Sequence, residues 1–133
     1  MRDSDYDLMK LFATEEGLAV ITMNRPDVHN AFNMELIAEL TDAFRSIADE
    51  TSIRMVILRG AGKSFSAGAD LEWMKRAALH TKEDNVRDAV NLAEMLRALW
   101  EMPQMTLAMV QGAAMGGGAG LVAACDVAVA MKD

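Results

Sequence analysis

Cysteine is nearly absent from this 133-residue chain: Cys125 stands alone. One thiol closes no intramolecular disulfide and builds no Cys-based metal cluster, and its setting in an apolar run reads as a small core side chain, not a nucleophile. Uninterrupted apolar runs are short. None reaches the roughly 18 residues a membrane span needs, and Met1-Arg2-Asp3-Ser4-Asp5 is too polar for a signal peptide, so a cytoplasmic protein with no membrane partner is expected. Cations are also scarce: 13 Lys and Arg face 20 Asp and Glu, giving a net charge of −7. Displacing counterions from a phosphate backbone needs clustered cations, which excludes a nucleic-acid partner. Only two histidines occur, His29 after a turn and His80 in a polar linker. Both read as solvated loop residues, and no metal site is expected.

What the chain does have is an apolar share of 52%, ample for a core, in a length that suits one domain or part of one. Leu18–Met23 is a β-type run with Leu8–Phe12 as a candidate hairpin partner. Asn33 is placed to cap a helix whose face carries Leu36, Ile37, Leu40, Phe44 and Ile47. Arg54–Arg59 and Leu107–Val110 read as strands, and Asp126–Ala130 begins another. A short helix is expected from Asp70, with Leu71, Met74 and Ala78 in its pattern. A longer one is expected after a Thr81/Asp84 cap, with Val86, Val90, Ala93, Leu96 and Trp100 as its buried stripe, until Pro103 ends it. The twelve methionines are scattered through apolar runs and read as core filler. The alternation predicts an α/β fold of repeated strand-strand-helix units with several strands buried on both faces. A chain stopping directly after a new strand leaves it uncovered, so residues 1–133 are expected to be a truncated, N-terminal part of a domain.

Two glycine-rich segments carry the chemistry. Phe65-Ser66-Ala67-Gly68-Ala69-Asp70-Leu71 and Gln111-Gly112-Ala113-Ala114-Met115-Gly116-Gly117-Gly118-Ala119-Gly120-Leu121 each follow a β-like run and open a helix-like one. Strand exits through small residues bring uncommitted backbone N–H groups to helix starts, where developing negative charge can be held; two such donors suggest an oxyanion hole. Glycines at 116, 117, 118 and 120 each cost up to about 1 kcal/mol of helix stability. Close approach of a ligand, positive φ values and tight helix–strand packing all account for them. A phosphate-binding loop needs Lys then Ser or Thr after its last glycine, and Leu121 stands there. Gly118–Ala123 matches a loose dinucleotide fingerprint, but the next strand comes too soon for a βαβ unit. A serine nucleophile is missing from residues 111–126. Asp70 reads as a helix-start residue, Asp126 as ordering the loop before its strand, and Lys82-Glu83-Asp84 as a solvated helix start.

Three ordered motifs, Ile21–Pro26 with Asn30-Ala31-Phe32, then Phe65–Leu71, then Gly112–Gly118 with Ala124-Cys125-Asp126, resemble the enoyl-CoA hydratase/isomerase (crotonase) family over nearly the whole chain. The resemblance implies a crotonase-like spiral and an acyl-CoA thioester substrate whose carbonyl oxygen is held by the N–H groups of Ala69 and Gly117. It implies coenzyme A contacts at Val28, Ala67, Asp70 and Leu71, with Glu72 at the edge of the acyl pocket. No separate cofactor is implied, because coenzyme A arrives as part of the substrate. Gly120 stands where a catalytic Glu is typical, and a second Glu would lie past Asp133, so the chain holds donors with no identifiable acid or base. Gly120 and Ala69–Lys75 are similar to a branch that includes methylglutaconyl-CoA hydratases, which implies fatty-acid or branched-chain catabolism. Hydration of a 2-enoyl-CoA is the first expectation; isomerisation, another enolate-forming reaction, or a catalytically silent binding or assembly fragment are the alternatives. Trimers or hexamers are implied for a full-length relative.

Overall fold

The computed structural model describes residues 6–131, which form an α/β domain on one five-stranded sheet. Strands β1 (Met9–Ala13) and β2 (Leu18–Met23) make an antiparallel hairpin whose turn closes at Gly17, at φ 92°. The strands β3 (Met55–Gly60), β4 (Met105–Val110) and β5 (Val127–Ala130) then add in parallel, so spatial order equals chain order. Each parallel step needs a crossover. Helix α1 (Met34–Ala48) provides the first, α2 (Leu71–Ala77) and α3 (Lys82–Trp100) the second, and α4 (Gly117–Ala124) the third. The second strand of each expected unit is reduced to single residues: parallel bridges join Phe32 to Ala69 and Ser66 to Ala114. Those bridges lie in the segments between sheet and helices, and they position the site.

Helix α1 forms where expected. Asn33 Oδ1 accepts from the Leu36 N–H at 2.9 Å, and Leu36, Ile37, Leu40, Ala43, Phe44 and Ile47 are buried. Burying each large side chain contributes about 1.5–3 kcal/mol. Of the strands, β2 best fits burial on both faces, since the successive residues Ala19, Val20 and Ile21 are all buried. By contrast β5 is exposed at all four positions.

The stripe expected for α3 is corrected. Thr81 caps the helix through the Asp84 N–H, but Met95 and Leu99 are its buried residues; of the expected stripe Val86, Val90, Ala93 and Trp100 are exposed and Leu96 is partly buried against the core. Both α1 and α4 pack against this helix, with Met95 and Leu99 buried in the core and the partly buried Leu92 and Leu96 meeting α4 at Gly117 and Gly120. Periodicity alone could not choose the buried face. Cys125 is partly buried and packs at the edge of the core; burial pushes its thiol up to about 11, against a hydrogen bond from Thr106 that lowers it. Asp126 orders the loop before β5: Oδ2 accepts from the Thr106 N–H at 2.9 Å, and the Asp126 N–H donates to Thr106 Oγ1 at 2.9 Å.

Candidate active site at two glycine turns

The exit of β2 is built around Asn30, a fully buried polar residue in the left-handed region at φ 54°, which Asn tolerates better than most side chains. Its Oδ1 accepts from the Arg25 N–H at 2.8 Å, and its Nδ2 donates to the carbonyls of Ala61 and Ser64 at 2.8 and 2.9 Å. Asn30 thereby pins the turn after β2 to the turn after β3. Gln111 does the same from β4, its Nε2 donating to Gly60 O at 2.6 Å and Gly62 O at 3.1 Å. Ser66, fully buried, donates from Oγ to Asn30 O at 2.9 Å, and its own carbonyl accepts from the Met115 N–H. Three successive strand exits are laced into one rigid shelf.

Both glycine segments sit on that shelf and touch. Gly68, at φ 91°, lies so close to the second segment that a Cβ there would meet Met115 O at 2.9 Å; a Cβ on Gly116, at φ 53°, would meet Gly68 Cα at 3.7 Å. Ala69 and Gly117 each follow one of these two glycines. The Phe32–Ala69 bridge explains what Ala69 presents: Phe32 N–H donates to Gly68 O at 2.6 Å and Asp70 N–H to Phe32 O at 2.7 Å. In a parallel bridge the bonds come from the neighbours of the bridged residue, so the Ala69 N–H points away from Phe32. Among the described residues neither the Ala69 nor the Gly117 N–H has a hydrogen-bond acceptor. Gly117 opens the eight-residue α4, where the first amides are unmatched within the helix. Ala69 is exposed and Gly117 partly so, leaving both open to a ligand.

The glycines have separate reasons. Gly116 needs its positive φ, whereas Gly117 and Gly118 are packing glycines: a Cβ would come within 2.6 Å of Phe32 Cε2 and 2.7 Å of Ser66 O respectively. At Gly120 it would meet only the Leu96 methyl groups, at 3.3 and 3.4 Å.

Asp70 is internally committed. Its N–H donates to Phe32, its carbonyl accepts from Met74, Oδ1 accepts from the Glu72 and Trp73 amides at 2.7 and 3.3 Å, and Oδ2 pairs with Arg25 Nη2 at 2.9 Å. Burial alone would raise its pKa, but the Arg25 guanidinium and the two amides together hold it below the usual carboxylate range. The Ala67 N–H donates to His29 O at 2.9 Å, while Val28 and Leu71 are exposed at 38% and 63%. Glu72 is exposed and pairs with Lys75 at 3.7 Å. A cleft of about 470 Å³ beside the first segment is lined by Arg25, Asp70, Glu72, Arg76 and His80 among others. Another, of about 510 Å³, is bounded by α1 and α3 residues with Trp73, and neither cleft has Ala69 or Gly117 in its lining. His29 Nδ1 lies 3.1 Å from Ser64 Oγ, and His80 Nδ1 lies 3.9 Å from Asp88. No group of three or more His, Cys, Asp or Glu arranged to hold a metal occurs among the described residues, and none of their helices is long and apolar enough to cross a membrane.

Arg25, Asn30, Phe32 and Gln111 lie within the quoted motifs, yet no local pattern marks what each of them holds. A non-Gly residue able to adopt positive φ was the available signal for Asn30; the partners of the others are distant in sequence.

The fold agrees with the comparisons. The family model for enoyl-CoA hydratase/isomerase matches residues 13–133. A crystal structure of an enoyl-CoA hydratase from Shewanella pealeana ATCC 700345 superposes with a TM-score of 0.91 at 35% identity, over 95% of this chain and 47% of that one. An enoyl-CoA hydratase from Mycobacterium smegmatis gives 0.88 at 35% identity, over 93% and 48%. The mitochondrial Delta(3,5)-Delta(2,4)-dienoyl-CoA isomerase of Homo sapiens is 31% identical over 98% of this chain and 42% of its own length. The chain thus spans a little under half the length of these relatives. It has the crotonase fold and belongs to the enoyl-CoA hydratase/isomerase family.

Proposed function

We propose that this chain binds the thioester carbonyl of an acyl-CoA between the Ala69 and Gly117 N–H groups and, in the whole protein, stabilises an enolate during addition of water to a 2-enoyl-CoA. The observation that carries this is the pair of acceptor-free amides on two touching glycine turns. In hydration the water oxygen bonds to Cβ as one of its O–H bonds breaks and that proton passes to a general base; the π electrons move onto the thioester oxygen, and they return as Cα takes a proton and the carbonyl re-forms. Each preorganised donor at that oxygen is worth roughly 3 kcal/mol of barrier. The reading requires no cofactor beyond the coenzyme A of the substrate; Val28, Ala67, Asp70 and Leu71 would lie along it and Glu72 beside the acyl group. A cytoplasmic trimer or hexamer is part of the same reading for the whole protein.

Gly120 favours a second reading. It supplies no carboxylate to activate water, whereas isomerisation has no water to activate and can be served by a single base that carries a proton from one carbon to another; a dienoyl-CoA isomerase is among the relatives named above. A silent acyl-CoA-binding module is the limit of that series. The test replaces the Ala69 amide by an ester, which deletes the N–H and little else, and measures crotonyl-CoA affinity and turnover of 2-enoyl and 3-enoyl thioesters. Selective loss of thioester binding is expected, with negligible hydration by the 133-residue chain. Unchanged binding by the ester variant would overturn the proposal.

A further inference from the structure

The donor pair is useful only if its two N–H groups keep a fixed separation, yet they belong to segments joined covalently only through α2, α3 and β4. The segments bond directly at Ser66, through the Met115 N–H to Ser66 O and the Ser66 N–H to Ala113 O, and Phe32 touches both donor residues themselves. Phe32 brackets Ala69 with its backbone, through the bonds to Gly68 O and from Asp70 N–H, while its ring edge packs where a Cβ of Gly117 would be, with Cε2 and Cδ2 at 2.6 and 2.9 Å from that point. Phe32 itself is 1% exposed and lies between two pinned residues, Asn30 in its three-bond cradle and Asn33 at the cap of α1. Its backbone sets one donor and its ring sets the closest approach of the other.

We infer that Phe32 is a positioning residue that gauges the distance between the Ala69 and Gly117 donors, an inference that rests on the acyl-CoA reading above. A ring serves because it is stiff and flat, with few rotamers to blur the spacing. Shrinking it lets the start of α4 settle inward; adding a Cβ at Gly117 pushes that start outward. Either displacement degrades a donor that must lie within about 0.5 Å of its productive position.

The experiment compares the affinities of the wild-type chain, Phe32→Leu, Gly117→Ala and the double variant for crotonyl-CoA and for S-butyl-CoA, a thioether lacking the carbonyl oxygen. The amide resonances of Ala69 and Gly117 are recorded alongside. Both single variants are expected to lose about tenfold in thioester affinity with thioether affinity unchanged, and Phe32→Leu to shift the Gly117 amide. In the double variant the added methyl group occupies space vacated by the ring, and part of the loss is recovered. A Phe32→Leu chain with wild-type preference for the thioester overturns the inference and leaves the proposed function standing, as does equal weakening of both ligands. A wild-type chain with no thioester preference overturns the proposed function itself, and this inference with it. Should Phe32→Leu fail to fold, Phe32→Met, which keeps more of the side-chain volume but not the flat ring, takes its place with the same expected and overturning outcomes.

Discussion

Arg25 and Asp70 stand 45 residues apart in the chain, and Arg25 Nη2 meets Asp70 Oδ2 at 2.9 Å, with both side chains at most 16% exposed. The pair ties the exit of β2 to the first turn of α2, one residue from a proposed donor.

That pair makes stability depend on acid. The carboxyl of Asp70 titrates below its unfolded value of about 3.9, so its contribution is complete above that value and disappears as pH falls through the lower folded pKa. Asp70→Ala should cost about 1–3 kcal/mol at neutral pH, through the lost helix cap and the unpaired Arg25, and should flatten the acid limb. Urea unfolding at several acidic pH values measures both effects.

Gly118 and Gly120 should respond oppositely to alanine. At Gly118 the obstacle is the Ser66 backbone, which cannot yield, so Gly118→Ala should destabilise by about 1–3 kcal/mol. At Gly120 the obstacle is the mobile end of Leu96, and the helix gains up to about 1 kcal/mol of propensity, so Gly120→Ala should be neutral or stabilising. Thermal melts of the two variants separate the cases.

The two faces of α3 make a similar contrast. Leu99→Ala should cost about 2–5 kcal/mol, whereas Val90→Ser should leave unfolding unchanged within about 0.5 kcal/mol. The outward stripe and the exposed β5 should instead govern self-association. Light scattering across concentrations should detect association of the 133-residue chain, reduced by a combined Val90→Ser/Trp100→Ser variant.

Cys125 should alkylate slowly in the native chain at pH 8, because burial pushes its thiol to about 11 and keeps thiolate scarce. Iodoacetamide labelling should accelerate as pH rises toward that value, and at pH 8 on unfolding in urea. Equal rates in native and unfolded chains would contradict it.

Much of this architecture was legible because its signals are local. Asn33, Thr81 and Asp70 cap the three helices they precede, and a run such as Leu18–Met23 declares a strand without outside help. The donor positions came from motif resemblance, and what motif spacing cannot express is how they are held apart. Asn30, Gln111 and Phe32 act on backbone atoms tens of residues away, and nothing near them in sequence announces the partner. The α3 stripe failed for a related reason: apolar residues on its inner and outer faces have the same period, and only the positions of α1 and α4 say which is inside.

Agreement of chain order with sheet order has a consequence for how the molecule is made. Every strand after β1 docks on the one immediately preceding it, so no strand waits for a later segment before finding its neighbour. A nascent chain emerging from its N-terminus can therefore wind one coil at a time, with each finished turn offering a free edge as template for the next. The candidate site is the exception, since Ala69 acquires its opposite number only when the coil carrying Gly117 arrives. Backbone growth and the assembly of binding competence are thus separate events in the life of the chain, ordered by the same winding.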